Sequence, residues 1–123
     1  MDWFLNGETD PQYIPNLPAS DFIGLVTKAK SILNPSKVFV FVDESEWTID
    51  NGIFLVYRPS IQYWDDVPSD RHSHGANLSF ADGHCEYWRW RESKQTQRAY
   101  DPVVSPADEQ DLQRMQAALP PAP

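Results

Sequence analysis

The stretch RHSHGANLSFADGHCEYWRWR, from Arg71 to Arg91, decides the fold that we expect for this chain. It holds all three histidines and the only cysteine of the sequence. Asp82-Gly83 lies between two segments that resemble strands, and this dipeptide favours a two-residue β-hairpin turn, because both of the turn's central positions need positive φ. The sequence therefore predicts a hairpin that turns at residues 82 and 83.

A two-residue turn also predicts which side chains share a face of the hairpin. Ala81 would lie opposite His84, and successive side chains would alternate between the two faces. One face is expected to contact the core and carries Leu78, Phe80, Cys85 and Tyr87. The other face is expected to be at least half exposed and carries Asn77, Ser79, His84, Glu86, Trp88 and Trp90. Cys85 is accordingly interpreted as a small buried side chain rather than a nucleophile.

Two segments before this hairpin are also predicted to form strands. Residues 37–44, KVFVFVDE, contain five consecutive apolar residues, which indicates a strand buried on both faces. We expect this strand to be the central one. Asn51-Gly52 favours a second hairpin, with residues 46–50 and 53–58 as its arms.

Helices are predicted on either side of these strands. Ser20 is a suitable N-cap for a helix that ends at Asn34-Pro35. Ser105, followed by Pro106, is a suitable N-cap for a C-terminal helix. We therefore expect an α+β fold, an antiparallel sheet of about four to five strands with one N-terminal and one C-terminal helix.

Size and charge limit the classes of protein to which the chain can belong. Residues 1–123 would form a single domain, with an extended lead-in over residues 1–19 and a tail over residues 120–123. The net charge is −8 and there is no basic stripe, so we expect no nucleic-acid partner. The N-terminus does not resemble a signal peptide, and no apolar stretch is long enough to span a membrane. We expect a soluble chain.

The histidines are candidate metal ligands. His72 and His74 would lie on the same side of an extended segment, and a transition metal would need a third ligand besides them. The candidates for that ligand are Asp65, Asp66 and Asp70. His84 would lie roughly 30 Å from His72 along an unbroken strand, so these two histidines would share a metal only if the chain bends at Ser73 to Gly75.

A catalytic set is the weaker interpretation of the same residues. Ser79, His84 and Glu86 would share one hairpin face, with Ser79 opposite Glu86 and His84 a diagonal neighbour. Together with His72, these residues are the ones that an acid–base or hydrolytic role would use. Our main expectation is that the chain has no catalytic residues.

The order of the motifs resembles one known family. His72, nine further residues and Asp82-Gly83 match the signature His-X9-Asp-Gly. The surrounding RHSHGANLSFADGHCEYWRW resembles the prepilin-type, processing-associated domain found at the C-terminus of many type II secretion pseudopilins and type IV pilin-like proteins. NPSKVFVFVDE, SEWTIDNGIF and DEQDLQRMQAALP look like the same family and occur in the same order. The likeness covers about three-quarters of the chain.

The resemblance implies a non-catalytic globular head that assembles with other pilin-like or secretion-system subunits outside the cytoplasm. The prepilin cleavage motif and the hydrophobic helix of that family have no match in this sequence. The resemblance also implies calcium, although the family's calcium loop has no clear match. The candidate calcium ligands are Asp43, Glu44 and Asp82.

Two alternatives from other classes stay open. The first is a small metal-dependent hydrolase that acts on an ester or a lactone, with the histidines and acidic loops around a cation that activates water. The second is a carbohydrate-binding module with Trp64, Trp88 and Trp90 as its stacking platform. In a pilin-like head, Trp88 and Trp90 would instead be a contact surface, or would cover the sheet where the C-terminal helix docks.

Overall fold

The computed structural model describes residues 32–50, 54–59 and 61–120. The predicted lead-in, the turn at Asn51-Gly52 and most of the helix capped by Ser20 lie outside these residues. Within the described ranges, no helix is long and apolar enough to cross a membrane.

The described sheet has three antiparallel strands, so the expected sheet of four to five strands is wrong for this part of the chain. The strands are β1 (Phe39–Val42), β2 (Gly75–Phe80) and β3 (Cys85–Arg89), in the order β1-β2-β3. A short 3-10 helix, Pro35–Lys37, precedes β1. The strand predicted to be central is therefore an edge strand, because β2 pairs with its hairpin partner on one side and with β1 on the other.

The hairpin forms where the sequence predicts it, but its register differs by one residue. Ala76 lies opposite Trp88, and Ser79 lies opposite Cys85. The cause is a three-residue loop in place of the expected two: Phe80 N–H donates to the His84 carbonyl at 2.9 Å, and Gly83 N–H donates to the Phe80 carbonyl at 2.9 Å. Gly83 has a φ of 93°, and a glycine with positive φ at the end of such a loop is typical of three-residue hairpins.

The shift moves every β3 side chain to the opposite face from the one predicted, since side chains alternate along a strand. Cys85 and Tyr87 are exposed, although both were expected to contact the core. Trp88 and Trp90 are buried, although both were expected on the half-exposed face. The two tryptophans thus belong to the core and lie beneath the C-terminal helix.

The described parts of the second predicted hairpin, residues 46–50 and 54–58, form no strands. Residues 46–49 form a turn, in which the N–H groups of Thr48 and Ile49 both donate to the Ser45 carbonyl. The Thr48 hydroxyl donates to Glu44 Oε1 at 3.0 Å and accepts from Val67 N–H at 3.2 Å. These local bonds compete with strand pairing. Residues 54–59, which include most of the second arm, contain no strand.

Helix α1, Pro106–Ala117, begins at the cap that the sequence indicates, since the Ser105 side chain accepts from Asp108 N–H. Its apolar side chains Leu112 and Met115 pack in the core with the buried residues of the sheet. Phe39 N–H donates to the Ala118 carbonyl at 3.1 Å and links β1 to the end of the helix. The core is therefore built from the inner face of the sheet, the covering helix and the irregular segment between β1 and β2. Its buried members are Phe39, Phe54, Val56, Trp64, Val67, Ala76, Leu78, Phe80, Trp88, Trp90, Leu112, Met115, Ala118 and Leu119.

Candidate functional site

The His-X9-Asp-Gly residues bracket strand β2. His72 lies in the turn that enters the strand, where its N–H donates to the Gly75 carbonyl at 3.4 Å. Its ring Nε2 is 3.3 Å from Asp43 Oδ2, just beyond the end of β1. Asp82 lies in the loop that leaves the strand, and its Oδ1 accepts from His84 N–H at 3.1 Å. The motif therefore fixes both ends of one strand.

His72 and His74 do not form the extended pair that the sequence predicts. Ser73 and His74 have φ values of 54° and 64°, so the chain bends sharply between the two imidazoles. The Tyr87 hydroxyl holds this bend by contacting the carbonyls of His72 at 2.6 Å and of Ser73 at 2.8 Å. His74 Nδ1 is 3.5 Å from Asp70 Oδ1, whereas His72 is paired with a different carboxylate.

His84 forms a separate group at the tip of the hairpin. Its ring is hydrogen-bonded to Asp82, lies 3.7 Å from Glu86 Oε1, and stacks on Phe80 with 4.5 Å between ring centres. The hydrogen bond to Asp82 raises the pKa of His84, and the same bond lowers the pKa of Asp82. Ser79 is directly opposite Cys85 and so faces away from His84 and Glu86. The predicted trio of Ser79, His84 and Glu86 is therefore not assembled.

The candidate calcium ligands lie at opposite ends of β2. Asp43 Oδ2 accepts from Asn77 N–H at 3.2 Å, and Glu44 accepts from Thr48, so these two carboxylates lie near the start of the strand. Asp82 lies beyond its other end. Within the part of the chain that the structure describes, no three or more histidine, cysteine, aspartate or glutamate side chains are grouped to hold a metal ion.

The three aspartates of the acidic loop make different contacts. Asp66 Oδ2 accepts from Leu55 N–H at 2.7 Å, and burial raises the pKa of Asp66 to about 7, with further contributions from Glu44 and Asp65. Burial also raises the pKa of Asp65. Asp70 Oδ2 instead accepts from the Ser93 hydroxyl and from the backbone N–H of residue 94. Asp66 and Asp70, two of the candidates for a third metal ligand, are thus tied to separate parts of the fold.

The predicted aromatic platform is buried. Each indole N–H of Trp64, Trp88 and Trp90 donates within the protein, to Asp108, to Glu86 and to the Ser69 carbonyl respectively. Rings in these positions cannot stack on a sugar. The prediction of an exposed contact surface at Trp88 and Trp90 is wrong, because the register shift turns both rings inward.

A cleft of about 380 Å³ lies beside a different tryptophan, Trp47, which sequence reasoning missed. The ring is 56% exposed, and the Arg98 guanidinium lies 4.3 Å from its centre. The rest of the lining is polar and includes Ser69, Arg71 and Gln95. No sequence pattern indicates this cleft, because three segments that are far apart in the chain assemble it.

The interior contains a buried cluster of charges that the sequence did not indicate either. The Lys94 ammonium is fully buried, 2.8 Å from Asp108 Oδ1 and 2.7 Å from Asp111 Oδ2. In the sequence, Lys94 belongs to the polar run RESKQTQR, which is typical of a solvated loop. Only the packing of residues 91–98 against α1 brings this lysine inside.

Comparisons with family models, with curated proteins and with solved structures find no match to this chain. The geometry and the sequence motifs are therefore the basis for a proposed function.

Proposed function

We propose that this chain is the non-catalytic head domain of a pilin-like protein, in a type II secretion or type IV pilus-like system. The observation that carries the proposal is the position of the motif residues at the two ends of β2. His72 with Asp43 closes the entry to the strand, and Asp82 with Gly83 forms the loop at its exit. Motif residues that hold the two ends of a strand support a structural role for the domain rather than a catalytic one.

The histidines support the same interpretation through their partners. Each of the three is paired with its own carboxylate, namely His72 with Asp43, His74 with Asp70, and His84 with Asp82. A metal-dependent hydrolase would use its histidines around one shared centre. Separate pairs are what we expect of residues that hold turns together.

The resemblance supplies the partners and the location in this proposal. The head would assemble with other pilin-like or secretion-system subunits outside the cytoplasm. Calcium binding by the acidic segments also stays part of the proposal. Asp43 and Glu44 lie apart from Asp82, so the three carboxylates would not bind one ion together.

Co-purification from the source organism tests the proposal. The gene is tagged at its 3′ end in the chromosome, and surface fibres and secretion complexes are isolated after mild cross-linking. We expect the tagged chain in covalent adducts with pilin-like subunits. The matched assay uses purified protein with ester and lactone substrates, with and without chelator. Chelator-sensitive turnover that disappears in His72→Ala and His84→Ala would replace this proposal with the hydrolase.

Carbohydrate binding is the second candidate function, and the cleft beside Trp47 is the observation that favours it. An exposed indole next to polar side chains such as Arg71 and Gln95 is the combination that stacks on a sugar ring and binds its hydroxyls. Calorimetric titration with soluble oligosaccharides tests this candidate. Trp47→Ala should abolish any binding, whereas Tyr63→Ala, a change at another exposed ring, should leave it intact.

A further inference from the structure

The side chain of Lys94 is fully buried between two carboxyl groups and two tryptophan rings. Its ammonium is in contact with Asp108 Oδ1 and Asp111 Oδ2, and it donates to the Glu92 carbonyl at 2.9 Å. The rings of Trp64 and Trp90 lie over it, with their centres 5.3 Å and 5.7 Å from Nζ. A primary amine is thus held against two carboxyl groups with aromatic walls around it.

The two carboxyl groups differ in their other partners. Both oxygens of Asp111 accept from the backbone N–H of Arg91 at 3.0 Å, and Oδ2 also accepts from Glu92 N–H at 3.1 Å. These backbone contacts hold the Asp111 carboxylate in place. Its Oδ2 lies 2.7 Å from Lys94 Nζ, so it is positioned to relay a proton from the amine.

The hydrogen-bond partners of Asp108 are those expected of a carboxyl group to which a nucleophile adds. Its Oδ2 accepts from Gln97 Nε2 at 2.7 Å and from Val104 N–H at 3.0 Å. Two fixed donors on one oxygen stabilise the negative charge that develops there when a nucleophile adds to the carbon. Its Oδ1 faces Lys94 and Trp64, and this is the oxygen that would leave.

We propose that Lys94 and Asp108 condense spontaneously to an intramolecular isopeptide bond. Proton transfer from the ammonium through Asp111 to Asp108 gives a neutral amine beside a carboxylic acid, and burial reduces the cost of this step because water no longer solvates the charges. The lone pair of Nζ then forms a bond to Cγ of Asp108. With the first proton on Oδ1 as a hydroxyl, Asp111 takes a second proton from Nζ and passes it to that hydroxyl. The Cγ–Oδ1 bond then breaks, and Oδ1 leaves as one water molecule.

The reaction needs no oxidant, cofactor or second protein, because the amine and the acid are held in place by the fold. The product would join the segment before α1 to the first turn of the helix by a covalent bond. The inference is independent of the proposed function, since it rests only on the contacts of the buried cluster.

Intact mass measurement of the purified wild-type chain is the first test. The bonded chain is lighter than its sequence by one water molecule. Dehydration at Asp82-Gly83 would cause the same loss, so the bond is located by tryptic digestion. Trypsin does not cleave after an acylated lysine, and the product should contain residues 92–98 joined to residues 99–114. That branched peptide has the mass of uncleaved 92–114, but its first sequencing cycle releases Glu92 and Ala99 together.

Two variants complete the test. Lys94→Arg keeps the charge but cannot form the amide, so its mass should equal that of its sequence. Lys37→Arg changes an exposed lysine in the same way and should keep the branched peptide. A wild-type chain at full sequence mass, or one that trypsin cleaves completely after Lys94, overturns the proposal. A water loss that maps to Asp82 also overturns it.

Discussion

The guanidinium of Arg114 lies 4.0 Å from the centre of the Trp88 ring, so helix α1 covers the inner face of strand β3 at this point. Trp88 is 6% exposed, and its ring also contacts those of Phe80 and Trp90. This arrangement depends on the observed register, because a two-residue turn would direct Trp88 to the opposite face. The stability of the fold is therefore tied to the identity of residue 88.

Trp88→Ala should lower the free energy of unfolding by about 3–5 kcal/mol, since it removes a large core side chain and leaves a cavity. Trp47→Ala is the matched control, because Trp47 is exposed and its ring stacks on a surface arginine. The control should cost less than about 1 kcal/mol. Urea denaturation followed by far-UV circular dichroism measures both, and similar losses in the two variants would contradict the structure.

Cys85 should react with a thiol reagent in the native protein. The side chain lies on the exposed face of β3, opposite Ser79. We expect the rate with Ellman's reagent to change little when urea is added, because Cys85 is already exposed in the folded protein. Since Cys85 is the only cysteine, the signal has a single source. Strong protection of the Cys85 thiol in the folded state would contradict the observed register and favour the one expected from a two-residue turn.

Local signals gave the positions of the turn and the helix cap, whereas the sheet order and the register needed long-range information. Ser105 and Pro106 act on the residues next to them, so their pattern predicts where α1 begins. Asp82-Gly83 marks a turn in the same way. The dipeptide does not distinguish a two-residue from a three-residue loop, and one residue of difference exchanges the two faces of a strand.

The burial of three charged residues could not be predicted from the sequence for a related reason. Lys94 has the same neighbours in sequence as a solvated lysine, and its partners Asp108 and Asp111 lie on a helix that the sequence shows as polar. Three buried charges become acceptable only when each is paired, and pairing is a property of the packed chain. The same holds for the cleft beside Trp47.

Alanine at two glycines should separate a backbone effect from a packing effect. Gly83→Ala forces a side chain into a φ of 93° but meets no atom within 4 Å, so it should cost about 1–2 kcal/mol. Gly75→Ala would place its Cβ 2.6 Å from the Tyr87 ring and against the Trp88 carbonyl, which cannot move without disturbing β3. The cost should reach the upper end of the roughly 1–3 kcal/mol typical of overpacking. Equal thermal shifts in the two variants would contradict this order.

Stability should fall as the pH rises from about 4 to about 7. Burial raises the pKa of Asp66 from 3.8 to about 7, so in this range the folded state binds more protons than the unfolded state. The free energy of unfolding therefore decreases as the pH rises through this window. The loss due to Asp66 is up to about 4 kcal/mol, since one pKa unit corresponds to about 1.4 kcal/mol.

Asp66→Asn isolates this contribution, because the amide oxygen can still accept from Leu55 N–H but carries no charge. The raised pKa of His84 gives a slope of the same sign, so the comparison is between the variant and wild type rather than with a flat line. Urea denaturation at about pH 5 and about pH 8 measures both slopes. We expect the free energy of unfolding of Asp66→Asn to fall less steeply with pH than that of wild type. At the higher pH the variant should be more stable than wild type. An unchanged slope would contradict the raised pKa.

Lys94→Met should be among the most destabilising single changes in the described part of the chain. The variant keeps an unbranched apolar stem but removes the buried nitrogen, as an ammonium or as the proposed amide. It leaves Asp108 and Asp111 as buried carboxylates with no partner from residue 94, which costs about 3–5 kcal/mol in comparable pairs. Lys37→Met removes the same charge from an exposed site and should change stability by less than about 0.5 kcal/mol. Chemical denaturation of the two variants measures the difference. A Lys94→Met protein as stable as wild type would mean that the nitrogen of residue 94 does not stabilise the buried cluster.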